Sequence, residues 1–207
     1  QEQTTLPNIL LPGDASERDA GFQGGNMGCC CSLLGSSEPE EIMVAPPPIG
    51  LSAKLRGTSV VVEGGVISGT GSVLADAPVL QDKGYFEATV KTEGTFAVGV
   101  ATKDSPLEGI LAQEQPHQVP TAWTVTNGQK LSAGDVIGCA VDQADYPVQV
   151  YFYKGSALLT QMSGVRGEVL PAFSVSDGAE LVPNFGGATY GSMPPGFQGL
   201  IKCQSLL

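Results

Sequence analysis

Basic residues are scarce in this chain. Its 207 residues hold 10 Lys and Arg against 21 Asp and Glu, for a formal net charge of −11 at pH 7. The ten basic residues are spread along the sequence, and nowhere do they form a cluster. Binding to nucleic acid through its phosphates needs such a cluster, so we expect no nucleic acid among the partners.

Histidine is scarcer still, with His117 as the single example, in a polar, proline-flanked stretch. Every Cys-His or Ser-His-Asp mechanism would depend on this one residue. The sequence also lacks the Gly-x-Ser-x-Gly elbow of hydrolases and the Gly-Lys-Ser/Thr ending of a phosphate-binding loop. We therefore expect no catalytic residues, no metal site and no cofactor, which means that the protein is not an enzyme.

Long apolar runs are also missing, so no segment is predicted to span a bilayer as a helix. Cysteine is limited to five residues, of which three are contiguous and the others are Cys139 and Cys203. This pattern is neither a disulfide framework nor a zinc-binding spacing, and it fits a reducing, cytoplasmic setting.

The most informative motif that is present is Met27-Gly28-Cys29-Cys30-Cys31-Ser32. It matches the N-myristoylation pattern, with Gly28 as the acylated residue. A single myristoyl chain binds membranes only marginally, and no polybasic patch is present to help. The second signal would be palmitate on Cys29, Cys30 or Cys31. The sequence thus predicts attachment to the cytosolic face of a membrane.

Acylation of Gly28 requires that translation begin at Met27, and no methionine precedes that residue. The other interpretation is a longer precursor, in which Gly28 has no free amine. Residues 1–50 hold seven acidic residues and one basic residue, and they end near a run of three prolines. We interpret residues 1–50 as a flexible or extended tail and residues 51–207 as one folded domain.

The folded part shows period-two alternation typical of strands. Residues 85–91 and 95–101 both alternate, and the intervening Thr92-Glu93-Gly94 predicts a hairpin. Further strands are expected at residues 58–63, 136–142, 148–154, 169–175 and 180–185. Because Gly, Pro or Asp separates them and no helical period appears, the class is all-β, most simply a sandwich of two antiparallel sheets. We expect these side chains in the core: Phe86, Val98, Val100, Ile137, Val141, Phe152, Phe173 and Phe185.

The order of these strand motifs resembles the SPRY domain family. The residues that carry the resemblance are 84–87, 98–101, 134–142, 150–155, 170–173 and 182–186. The resemblance covers the chain from about residue 51 to its end, and it implies a SPRY-type β-sandwich that recognises proteins or peptides through its loops.

On that basis, the expected binding loops are residues 102–120, 127–133 and 144–147. The expected partner-binding residues are Leu107, Ile110, Leu111, Trp123 and Tyr146. The leucines could instead fold back onto the domain, and Trp123 could pack in the core. The sequence leaves two functions open: a membrane-tethered interaction adaptor, or a structural subunit that a large multiprotein assembly holds through its tail and sandwich loops.

Overall fold

The computed structural model describes residues 47–112, 120–129 and 131–202. Internal contacts divide the chain into two units, Gln1–Met43 and Val44–Leu207, and all described residues belong to the second. The acylation motif at residues 27–32 lies outside the described residues, and so do His117 and Cys203.

The described chain is built from strands and one short 3-10 turn, Asn127–Gln129. No described segment forms a helix long and apolar enough to cross a membrane. The strands are β1 (Leu51–Arg56), β2 (Val60–Glu63), β3 (Val66–Gly69), β4 (Gly71–Ala75), β5 (Lys83–Thr92), β6 (Thr95–Ala101), β7 (Ala122–Thr126), β8 (Val136–Asp142), β9 (Gln149–Lys154), β10 (Ala157–Ser163), β11 (Leu170–Ser176), β12 (Glu180–Asn184) and β13 (Gln198–Gly199).

These strands form two sheets. The five-stranded sheet has the order β1-β4-β11-β6-β7, and the eight-stranded sheet has the order β10-β9-β8-β5-β12-β3-β2 with β13 added beside β5. All pairings are antiparallel except that of β13 with β5. The predicted all-β, two-sheet sandwich is confirmed.

One apolar core lies between the inner faces of the two sheets. Phe86 of β5 meets Phe173 of β11 with ring centroids 5.8 Å apart in an edge-to-face arrangement. Phe185 completes an aromatic cluster, 6.2 Å from Phe86 and 5.8 Å from Phe173. Of the eight predicted core residues, seven are buried, and Phe185 is half-buried against the same cluster.

The predicted hairpin between residues 85–91 and 95–101 is wrong. Both segments are strands, but β5 belongs to the eight-stranded sheet and β6 to the five-stranded sheet. The connection crosses between the sheets at Gly94, where a Cβ would lie only 2.4 Å from the amide nitrogen of Ala179. The alternation arises because each strand turns one face to the common core, whichever sheet it occupies.

We expect Phe86→Ala or Phe152→Ala to cost about 3–5 kcal/mol of unfolding free energy, because each leaves a cavity between the sheets. Urea unfolding of the purified variants measures this. Phe197→Ala, at a half-buried ring, is the control and should cost clearly less. A loss below about 1 kcal/mol in both core variants would show that the strand faces are wrongly assigned.

Candidate functional site: a loop platform around Tyr146

Three connecting segments meet at one end of the sandwich. Residues 79–82 lead into β5, residues 143–148 join β8 to β9, and residues 199–202 comprise the last residue of β13 and the three that follow it. They are neighbours because β5 pairs with β8, bringing Lys83 opposite Asp142, and β13 pairs with β5 at Gly84 and Tyr85. We call these three segments the Tyr146 platform.

Two glutamine side chains tie the platform together. Gln143 donates from Nε2 to the carbonyl oxygens of Val79 (3.0 Å) and Gln81 (2.7 Å). Its backbone N–H donates to the backbone carbonyl of Asp82 (2.7 Å). Gln81 donates from Nε2 to the carbonyl of Gly199 (2.7 Å) and accepts from the N–H of Ile201 at 3.2 Å. Each glutamine thus joins two segments, so side-chain hydrogen bonds fix the platform in addition to the strand pairing that brings the segments together.

The platform exposes apolar side chains. Tyr146 is 81% exposed, Leu80 52% and Ile201 43%. A recess of about 550 Å³ opens beside Leu80, between it, Lys83 and Ala144, whereas Ile201 lines a separate groove. A rigid surface with apolar side chains beside polar ones has the composition of a protein-binding patch.

The charge of the platform is negative. Lys83 pairs with Asp142 at 3.0 Å, and Lys202 pairs with Asp76 at 2.8 Å. The hydrogen bond to Asp142 is the main cause of the raised pKa of Lys83. Asp82 and Asp145 form no ion pair with any described residue, so their carboxylates dominate the local charge.

A C-terminal strap, residues 186–202, covers part of the outer face of the eight-stranded sheet next to the platform. Its anchor is the buried carboxylate of Glu87, which accepts hydrogen bonds from the N–H groups of Gly191 (2.9 Å) and Ser192 (3.2 Å). The Tyr85 hydroxyl donates to the same carboxylate at 2.9 Å, and the Tyr85 ring packs edge-to-face on Tyr190 at 5.2 Å.

Tyr190 of the strap and Tyr85 beneath it are not available for acid–base chemistry near neutral pH. Burial, followed by the hydrogen bond to Glu87, raises the pKa of Tyr85 well above its usual range. Burial also raises the pKa of Tyr190 to about 12. The strap is therefore a structural element, and it forms one wall of a groove of about 910 Å³ on this face.

The longest of the three expected binding loops, residues 102–120, folds back onto the domain over its described residues, 102–112. The carbonyl of Leu107 accepts from the N–H of Ser72 (2.8 Å), and the N–H of Leu111 donates to the Ser174 hydroxyl (3.0 Å). Leu111 is buried in a second apolar cluster on the outer face of the five-stranded sheet, with Leu107 packed against it and Ile110 half-buried. Replacing Leu107 or Ile110 by aspartate would therefore disturb the packing of this loop on the sheet as well as any contact with a partner.

Of the five residues predicted to bind a partner, only Tyr146 is prominently exposed. Trp123 is buried between the sheets, because its position on β7 faces the main core. In the 127–133 loop, Leu131 is buried as well. The structure thus does not bring the five residues together on one surface, and it places Trp123 and Leu111 among the packing residues.

The described residues offer little for metal or thiol chemistry. No group of three or more His, Cys, Asp or Glu is placed to hold a metal ion within residues 47–112, 120–129 and 131–202. Cys139 is a free thiol buried on the inner face of β8, and burial raises its pKa well above the usual range. That cysteine is therefore a poor nucleophile.

Sequence reasoning missed the residues that build the platform. Leu80 and Ile201 lie outside the strand patterns, and glutamine in a loop has no signature for a specific long-range hydrogen bond. The one local signal was Tyr146 before Pro147, which marked a turn with an aromatic residue.

We expect Gln143→Ala to cost about 1–2 kcal/mol of unfolding free energy, because it removes the hydrogen-bond donor from two carbonyls. It should also speed amide exchange in residues 79–82 and 143–148. Gln149→Ala is the matched control, since that side chain bonds only to the exposed carbonyl of Pro147. Equal stability and equal exchange in the two variants would contradict the role given to Gln143.

Comparison with known proteins gives consistent matches. The SPRY domain family pattern matches residues 83–188. SPRY domain-containing protein 7 from Gallus gallus and from Homo sapiens are each 33% identical over 174 residues, covering 77% of this chain and 87% of the relative. E3 ubiquitin-protein ligase RKP from Arabidopsis thaliana is 30% identical over 146 residues, covering 62% of this chain but 11% of that protein.

The region that matches the family pattern spans β5 to β12, which include strands of both sheets. Similarity to the protein 7 relatives over 77% of this chain and the match to the family pattern agree with each other. The chain therefore belongs to the SPRY domain family.

Proposed function

We propose that this protein is a non-catalytic module that binds a protein or peptide through the Tyr146 platform. The observation that carries the proposal is the exposure of apolar side chains, above all Tyr146 and Leu80, on loops that Gln81 and Gln143 fix. Fixed loops lose little conformational entropy on binding, so contacts made there yield more affinity.

Family membership supports the class of function, because SPRY domains are in general protein–protein interaction modules. A rigid β-sandwich that displays loops suits this role, since loops carry recognition while the strands hold them in place. The two carboxylates without ion pairs, Asp82 and Asp145, favour a partner segment that presents a basic side chain beside an apolar one. The platform has no nucleophile–base pair that would suggest catalysis.

The N-terminal motif supports a second part of the proposal, attachment to the cytosolic face of a membrane. Gly28 would carry myristate and the adjacent cysteines palmitate, provided that Met27 initiates the chain. Two acyl chains are needed because one gives only reversible binding. The platform would then present its binding surface close to a membrane. The alternative function, a structural subunit of a large assembly, would need no acylation.

The platform can be tested by capture of partners from the native extract with the full chain. We expect the double variant Leu80→Ser with Tyr146→Ser to reduce capture by at least about tenfold, because hot-spot contacts are concentrated in a few large side chains. The matched control is Val61→Ser, which removes an apolar side chain that is 43% exposed on β2. Undiminished capture by the folded double variant would rule out this surface.

Membrane attachment can be tested by cell fractionation of the chain beginning at Met27. We expect Gly28→Ala to move the protein into the soluble fraction. Replacing Cys29, Cys30 and Cys31 by Ser should leave a weak, reversible association, because myristate alone gives an association constant of order 10⁴ M⁻¹. Cys139→Ser, at a buried thiol, is the control and should not change the fractionation. A wild-type chain found only in the soluble fraction would contradict the proposal.

A further inference from the structure

The groove beside the strap has an apolar floor on the outer face of the eight-stranded sheet. Thr89, Val136 and Val182 form this floor in one row, because Thr89 of β5 pairs with Val136 of β8 and with Val182 of β12. All three side chains are half-buried. Covering such a floor removes apolar surface from water, which is favourable. The groove therefore favours an apolar occupant.

The two charged side chains in the described lining of this groove are already paired. They are Glu87 and Lys202. The Glu87 carboxylate accepts hydrogen bonds from the strap, and the Lys202 ammonium pairs with Asp76 at 2.8 Å. A charged occupant would lose its hydration here without gaining an ionic partner, which is unfavourable. The occupant should therefore be uncharged as well as apolar.

The first described residues of the chain run along this groove. Pro47, Pro48 and Ile49 all line it, and Ile49 is buried in the main core. The next residue, Gly50, is fixed by two hydrogen bonds to Asp76: its N–H donates to the carboxylate at 3.1 Å, and its carbonyl accepts from the Asp76 N–H at 2.9 Å. Because successive Cα atoms are only 3.8 Å apart, the residue that precedes Pro47 must start at the groove.

The three residues that precede Pro47 have the chemistry that the groove favours. Val44-Ala45-Pro46 is apolar and uncharged, whereas residues 38–41 just before it hold three glutamates. Residues 45–47 each precede a proline, which disfavours the helical conformation and favours a continued extended path. The boundary between the two contact units also falls before Val44, so these residues belong to the same unit as the sheet.

We propose that residues 44–46 of this chain occupy the groove, with Val44 against Val136 and Val182. Three residues of an extended proline-rich stretch rise about 9 Å, at about 3.1 Å each. That is roughly two strand spacings of about 4.8 Å, so the segment is long enough to cross the three strands of the floor. The groove is then filled from within the molecule, and the Tyr146 platform is the surface left open to a partner.

The test is the reactivity of a thiol placed on the groove floor. Val182→Cys is made in the full chain after replacement of the exposed or undescribed cysteines by Ser, so that buried Cys139 is the one other thiol; the replaced residues are Cys29, Cys30, Cys31 and Cys203. Reaction with dithionitrobenzoate is timed with and without the triple change Val44→Gly, Ala45→Ser and Pro46→Gly. We expect the triple change to speed the reaction at least about tenfold, because it removes the apolar contacts that cover the floor.

Two controls match this measurement. Val61→Cys, at a side chain 43% exposed on β2, should react at the same rate with and without the triple change. Leu33→Gly with Leu34→Ser, an apolar-to-small change earlier in the chain, should leave the thiol of Val182→Cys protected. Val136→Cys repeats the measurement on the neighbouring strand if Val182→Cys does not fold, with far-UV circular dichroism as the check.

Two results would overturn the proposal. Equal rates at the floor thiol with and without the triple change would mean that residues 44–46 do not cover the groove and that it is open to another occupant. Equal acceleration at the floor thiol and at Val61→Cys would attribute the effect to loosening of the whole domain. Acceleration confined to the floor thiol is the result that supports the proposal.

Discussion

Packing of the two sheets against each other is the constraint on which the other features depend. Phe86 and Phe173 come from opposite sheets and meet at 5.8 Å in the middle of the core. Because alternate residues of each strand are committed to this contact, the intervening residues must face outward. Those outward residues include Glu87, which anchors the strap, Ser72, which donates hydrogen bonds to the folded-back loop, and Ser174, which accepts one from it. The outer features are thus consequences of the register that the core imposes.

The strands and the identity of the core could be predicted from the sequence, because period-two alternation reports directly on burial. The sheet to which each strand belongs could not be predicted from the sequence, because a strand that faces the core shows the same alternation in either sheet. The β5–β6 connection shows this, where a short Gly-containing link crosses between the sheets instead of forming a hairpin. Strands β1, β3, β4, β10 and β13 were missed because none of them alternates cleanly: β4 is buried at every residue, and the others are mostly exposed or half-buried.

The site was less predictable than the fold, for a physical reason. Leu107 and Leu111 were read as exposed because they lie outside any strand pattern, but a loop can bury leucines on the outer face of a sheet. Trp123 was expected at a partner contact but is buried in the core. Its type could not decide, because a large aromatic residue serves equally well in either place. The platform depends on Gln81 and Gln143, whose bonds join residues about 60 or more positions apart in sequence, beyond any local pattern.

The strap shows that the folded unit extends past the region that defines the family. The family pattern ends at residue 188, whereas Tyr190, Gly191 and Ser192 make the contacts with Tyr85 and Glu87. A fragment trimmed to the matched region would leave the Glu87 carboxylate and the Tyr85 phenol uncovered on the outer face of the sheet. It would also lose Gly199 and Ile201, the residues that Gln81 holds. The boundary of sequence similarity is therefore not a safe place to cut this protein, and studies of its binding should keep the chain through at least Lys202.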